Sequence, residues 1–308
     1  MRIVSLLPST TEIASSLGFK NQIVGRSHEC DWPENISDLP ILTKPKYRSN
    51  GQSKEIDKNV KHLVEQGLSV YEVDAELLSK LEPDVILTQD HCEVCAVSLS
   101  DVQRAVQDWT DLDDVSTVSV SPLDLDGIFN SFLIIGKALD AEERAELLIS
   151  DIKQRMDIIK QTVLGENRKT VATIEWIDPL MTAGNWIPEL MDIAGGDHLF
   201  AEPGKHSPWI EWDTIRDADP DVITIMPCGY DFKQTLSEIT TLTSKQGWSE
   251  LKAVKTDQVF LLDGNQYFNR PGPRIFESTR ILAEILHPHL FKPTLENIGW
   301  QKLETVTV

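Results

Sequence analysis
The stretch DAEERAELLISDIKQRMDIIKQTVLG, Asp140 to Gly165, lies near the middle of the chain and reads as one long helix with both ends signed. Asp140 is placed to cap the N-terminus, and Glu143 follows three residues on as a capping-box acid. Gly165 stands where a left-handed C′ residue is wanted. Between them Ala145, Leu148, Ile152, Met156, Ile159 and Val163 recur at steps of three and four. That draws one apolar seam, with Glu, Lys and Arg on the other faces. The helix, 141–164, is expected to be a rigid strut with a seam against both neighbours. A strut predicts lobes that move little on ligand binding, where a hinge of extended strands would allow large closure.

On both sides of the strut the chain alternates short apolar runs with amphipathic helices. Before it, Arg2–Leu7, Ile23–Gly25, Ile41–Leu42, Val85–Gln89 and Val115–Val120 read as strands, and Ser9-Thr10-Thr11-Glu12 reads as a helix cap. After it, Thr170–Trp176, Val222–Met226 and Val259–Asp263 read as strands, with a closing helix over Arg274–Leu286. One fragment repeats: Ala75–Ile86 and Trp212–Ile223 both run helix, Pro-Asp, buried strand, and both lead to a Cys-bearing loop. The pattern predicts an α/β fold of two Rossmann-like (βα) lobes, 1–121 and 167–308. Linking helices over 122–166 join them, and a ligand cleft lies between the lobes.

Composition narrows the function. A chain of 308 residues is comfortable for two domains. Its formal charge of −20 argues against nucleic acid and against an anionic membrane surface. Met1-Arg2 leads straight into Ile3-Val4-Ser5-Leu6-Leu7, which reads as a buried strand rather than a signal peptide. The expectation is a cytoplasmic protein, or a periplasmic one whose export signal has been removed. In a reducing compartment Cys30, Cys92, Cys95 and Cys228 stay thiols.

In an open α/β sheet, ligands meet the loops at the carboxyl ends of the strands. Those loops carry His28, Cys30, Trp32, His91, Cys92, Cys95, Trp176, Trp186, Cys228, Tyr230, Tyr267, Phe268 and Arg270. An aromatic-rich, thiol-bearing cleft points to a large flat ligand, a metal, or both. All four thiols are expected to face that cleft, beside His28 and His91, where they suit zinc or another thiophilic metal. The alternatives stay open. Single cysteines serve as small buried hydrophobes, Cys92 and Cys95 can form a redox dithiol, and aromatics can simply pack the lobe mouths. Glu175, Asp178 and Glu189 could act as paired carboxylates in hydrolysis, but no nucleophile elbow, phosphate loop or zinc-protease spacing is present, so an enzyme is not expected.

The chain resembles the class III solute-binding proteins of ABC importers, the cobalamin binders among them. The likeness rests on Ser5-Leu6-Leu7-Pro8-Ser9-Thr10-Thr11-Glu12, Val24-Gly25 with Asp31-Trp32-Pro33, Leu81–Ile86, Asp178–Gly184 and Pro273-Arg274-Ile275. The resemblance implies a corrinoid or other metal-chelate ligand held between aromatic walls, with no cofactor required. It places His28 and Trp32 at cleft aromatics of the family, and Tyr267 or Phe268 near another. It matches Glu76 and Asp213 to two acids, one per lobe, that dock on the membrane subunits of an ABC transporter; solvated helix acids are the plain alternative. A monomer or weak dimer is expected. The competing reading is a cytoplasmic metal- or cofactor-binding protein, or an enzyme, using the Cys/His-lined loops.

Overall fold
The long helix forms, but its entry differs from the expected one. It spans Glu142–Thr162, and Asp140 lies outside it with φ +52°, in the left-handed region. The preceding helix, Leu125–Ala138, ends shortly before, and Ala141 N–H donates back to Gly136 O at 2.7 Å. Asp140 therefore closes an αα turn and does not take the extended conformation of a cap. The exit is as read. Gly165 has φ +88°, and no atom stands where a Cβ would point, so glycine is needed there for its backbone alone. The seam is buried at Ala145, Ile152, Met156, Ile159 and Val163. Burial of each larger side chain contributes roughly 1.5–3 kcal/mol.

The two helices meet at a small-residue contact. A Cβ on Gly136 would come within 2.8 Å of the Ala145 Cβ. Gly136→Val is expected to destabilise the chain by about 1–3 kcal/mol, although glycine inside a helix is otherwise unfavourable. Denaturant unfolding measures the loss, and Ala145→Gly added to Gly136→Val should recover part of it by reopening the gap.

In this computed structural model residues 1–47, 51–65, 70–89, 100, 102 and 115–304 are described. The chain divides inside the long helix. Met1–Gly51 with Glu55–Asp151 forms one compact unit, and Gln52–Lys54 with Ile152–Val308 forms the other.

The first half of the chain runs β1 (Ile3–Ser5), α1 (Pro8–Ala14), β2 (Ile23–Arg26), β3 (Thr43–Pro45), α2 (Ser53–Glu65), β4 (Tyr71–Val73), α3 (Ala75–Lys80), β5 (Val85–Gln89), β6 (Ser116–Val120), α4 (Leu125–Ala138) and α5 (Glu142–Thr162) among the described residues. Its main sheet has the order β2-β1-β5-β6, and all three pairings are parallel. β3 and β4 pair separately and antiparallel. Ser9-Thr10-Thr11-Glu12 is not the cap it resembles. Pro8 already starts α1, and the Thr10 and Thr11 hydroxyls turn back to donate to Leu7 O at 3.2 and 3.1 Å. A proline tolerates that first position because its missing N–H would have no helical partner.

The second half runs β7 (Lys169–Trp176), β8 (Met181–Thr182), α6 (Ile187–Ile193), β9 (Gly196–His198), α7 (Trp212–Ala218), β10 (Val222–Ile225), α8 (Phe232–Glu238), α9 (Thr240–Thr243), α10 (Lys252–Lys255), β11 (Val259–Leu262), α11 (Ile275–Leu286) and β12 (Trp300–Lys302). The sheet order is β12-β11-β10-β7-β8, with β9 also on β7. β7, β10 and β11 are parallel, and β8 and β12 are antiparallel edges. Ala172, Ile174, Ile223, Ile225 and Leu261 build the core of this unit with Leu242 and Trp248.

The repeated fragment does the same work in both units. In each, the residue before the Pro-Asp pair takes a left-handed conformation, Glu82 at φ +42° and Asp219 at φ +44°. In each, the aspartate accepts the N–H at the start of the unit's first strand. Arg2 N–H donates to Asp84 at 2.6 Å, and Thr170 N–H donates to Asp221 at 2.9 Å.

Candidate ligand site
In the C-terminal unit the site builds from the end of β7. Trp176 is its last residue, half-buried, and the indole packs on Tyr230 with ring centroids 5.5 Å apart at 60°. Its Nε1 is buried and finds no acceptor among the described residues. Tyr230 lies in the loop after β10, and its hydroxyl donates to Glu238 Oε1 at 2.8 Å. Burial first, and Glu238 second, hold that phenol well above its ordinary pKa, so it stays a donor. Glu238 is itself buried. It accepts from Ser53 N–H at 2.8 Å and from Ser53 Oγ at 2.6 Å, and Ser53 Oγ accepts from Asp178 N–H at 3.2 Å. The ring that Trp176 rests on is thus fixed from behind by a buried hydrogen-bond network.

One carboxylate beside this pair reads from the sequence only as a possible hydrolytic acid, not as a ligand-site residue. Glu175 is buried, and its Oε2 accepts from Ser207 Oγ. Its Oε1 accepts from Asn269 Nδ2 at 3.1 Å. Burial pushes its carboxyl up to about 7, against the lowering effect of hydrogen bonds from Ser207, Gly184 and Asn269. The sequence signal was a glutamate among apolar residues of a buried strand, a placement that demands a reason.

The remaining candidates divide. Tyr267 is half-buried, with the Arg274 guanidinium 5.3 Å from its ring centroid. Its neighbour Phe268 is fully buried, against the expectation of a ligand wall, because the single helical turn Gly264–Phe268 points it inward. Trp186 is also buried, at the entry to α6. Arg270 is buried and donates from Nη2 to Asn265 Oδ1 at 2.9 Å. Cys228 is half-buried, and its backbone N–H donates to Glu175 O at 3.0 Å.

In the N-terminal unit His28 is half-buried, and its Nδ1 lies 2.7 Å from Thr43 Oγ1. Burial, then the Arg26 charge, pushes its pKa down to about 4, so the imidazole is neutral at pH 7. Its ring packs on Tyr71 at 5.7 Å, and Tyr71 on Tyr47 at 6.4 Å. Neither tyrosine was singled out as a candidate from the sequence. Tyr71 stands on β4, and the β3–β4 pairing brings it beside His28, which bonds to Thr43 of β3. Trp32 is half-buried. Cys30 does not line a cleft. It is fully buried, with Sγ 3.1 Å from Thr11 Oγ1, as a small core side chain. His91, Cys92 and Cys95 lie outside the described residues. Among the described residues, no group of three His, Cys, Asp or Glu side chains could hold a metal.

Glu76 and Asp213 stand on α3 and α7, the helices of the repeated fragment. Their side chains are 80 % and 70 % exposed, and each pairs with a base on its own helix, Lys80 at 2.5 Å and Arg216 at 2.7 Å.

Comparison with known proteins gives this architecture a family. The description Periplasmic binding protein matches residues 3–266. The chain belongs to that family. A Bacillus subtilis relative, an uncharacterised ABC transporter substrate-binding lipoprotein, is 24% identical over 94% of this chain and 81% of its own length. A vitamin B12-binding protein of Yersinia pestis is 21% identical over 92% of this chain and 85% of its own. The crystal structure of a periplasmic heme-binding protein from Pseudomonas aeruginosa superposes with a TM-score of 0.71 at 18% identity, covering 100% of this chain and 99% of that one. At that identity the likeness shows the fold. This periplasmic binding protein is a solute-binding protein of the ABC-importer type and not an enzyme. The expectation of a cytoplasmic protein finds no support, since the relatives are described as lipoprotein or periplasmic. Among the described residues no helix is long and apolar enough to cross a membrane.

Proposed function
We propose that this chain is the binding component of an importer for a cobalamin-like corrinoid, acting outside the cytoplasmic membrane. The observation that carries the reading is the Trp176–Tyr230 pair at the strand ends of the C-terminal unit, with a buried indole Nε1 that finds no acceptor among the described residues. A flat, amide-rimmed macrocycle offers a face for the rings and an acceptor for that N–H. The name of the Yersinia relative supports the corrinoid. The N-terminal unit has aromatic groups of its own in half-buried Trp32, His28 and Tyr47, with buried Tyr71 packed against the last two. The described residues lend no support to zinc or another resident metal. The test is the absorption spectrum and mass of what copurifies from cells grown with cobalamin. Corrin bands are expected; a Soret band would replace the corrinoid with a porphyrin.

Glu76 and Asp213 are the proposed docking acids for the membrane subunits. Exposed ion pairs are weak and screened by water, so trading Lys80 or Arg216 for a transporter arginine costs little. Glu76→Lys combined with Asp213→Lys should reduce uptake in cells tenfold or more while leaving ligand affinity within about twofold. An equal loss of affinity would place both residues at the ligand instead.

A further inference from the structure
Glu175 is a buried carboxyl group held by neutral hydrogen-bond donors, with no cation among the groups that act on it. Its residue is 8% exposed. Burial and hydrogen bonds alone act on it, with no charged neighbour among the causes of its shift. Glu284, another buried and hydrogen-bonded glutamate of this unit, has the Arg280 guanidinium at 3.0 Å. An ionised carboxylate taken out of water without a cation is costly, and it relieves that cost by holding a proton.

Its neutral donors come from three separate loops. Ser207 belongs to the segment before α7, and Asn269 follows the turn after β11. Gly184 follows β8, and its N–H also donates to Ser207 Oγ at 3.0 Å. The approach is close enough that a Cβ on Gly184 would lie 2.6 Å from Lys205 O. Asn269 carries the link onward, accepting from Gly229 N–H at 3.3 Å beside Tyr230. One carboxyl group therefore joins the loops that surround Trp176 and Tyr230. The titratable groups on those elements are Glu202, Lys205, His206 and Glu211 before α7, Cys228, Tyr230 and Asp231 after β10, and Asp263, Tyr267, Arg270 and Arg274 after β11.

We propose that Glu175 is a proton-carrying positioning residue of the ligand site. Neutral, it holds the loops around Trp176 closed; loss of its proton favours their opening and weakens ligand binding. The role at the ligand rests on the corrinoid reading, and the role in the loops does not. The sign follows from linkage. Opening returns the carboxyl to water and to its ordinary pKa, so the closed form binds the proton more tightly. With the closed-form value raised to about 7, closure is fully supported below the ordinary carboxyl range and declines as pH rises toward and through 7.

Hydrogen exchange on ligand-free protein, corrected for intrinsic rate, tests the loops. Amides at 182–187, 205–208 and 264–270 should lose protection tenfold or more between pH 5 and pH 8. Glu175→Gln, permanently neutral, should keep them protected at both. Ser207→Ala removes a donor that favours the ionised form, so its transition should move to higher pH. Unchanged protection in the natural protein, the same loss in Glu175→Gln, or an unmoved midpoint in Ser207→Ala overturns the proposal. Cyanocobalamin affinity should fall over the same range in the natural protein and not in Glu175→Gln. A flat affinity beside responsive loops overturns the positioning role at the ligand. Responsive loops with no cyanocobalamin binding at any pH would instead remove the corrinoid reading and leave the loop device standing.

Discussion
Glu284→Ala should destabilise the C-terminal unit by about 3–5 kcal/mol, the largest stability effect expected of any single change described above. Glu284 is 2% exposed on α11. It accepts from Thr294 N–H at 3.0 Å, Thr294 Oγ1 at 2.6 Å, Leu295 N–H at 3.2 Å and Trp300 Nε1 at 2.9 Å. Arg280 Nε adds a fifth donor at 3.0 Å. Truncation strands these donors together, and with them the segment that leads into the edge strand β12. Denaturant unfolding should show the loss, and hydrogen exchange should place it at 291–302 first. Burial alone would raise this carboxyl, but Thr294, Trp300 and Arg280 outweigh it and hold the pKa below its ordinary value. The ionised form therefore adds stability above the ordinary carboxyl range, and that stability is lost as pH falls through the lowered value. Glu175, with its raised pKa, has the opposite sign and loses its contribution as pH rises. The presence of a cation at one site and not at the other separates the two glutamates.

Trp176→Ala carries the largest effect expected on binding. Removing an aromatic anchor from the centre of a site costs about 2 kcal/mol or more, roughly thirtyfold in affinity. Tyr230→Phe should do less, near tenfold or below, because the ring stays while the Glu238 hydrogen bond is lost. Calorimetric titration of both variants with cyanocobalamin checks the order. Equal affinity for Trp176→Ala and the natural protein would remove the indole from the site.

The fold was legible where a period was long or a fragment repeated. The α5 seam, the buried strands β5, β7, β10 and β11, and the helix–Pro-Asp–strand repeat could all be read from the residues. The edge strands β4, β8, β9 and β12 have only two or three residues, too few for an alternation to show. Their pairing depends on neighbours distant in sequence. For the candidate site, the sequence shows which loops follow the strands but not which side chains turn outward. Tyr267 and Phe268 are adjacent in sequence, yet one is half-buried and the other fully buried. Cys30 looked like a loop thiol because nothing in the local sequence shows that Thr11 comes to meet it. Glu175 was passed over as a site residue because its partners lie 32 and 94 positions away.

The most direct test of the central claim is calorimetric titration of the chain, freed of bound ligand by unfolding and refolding, with cyanocobalamin and with dicyanocobinamide. A corrinoid-binding protein should give saturable heat at one corrinoid per chain with micromolar or tighter affinity. No heat from either corrinoid at high micromolar concentration would contradict the account.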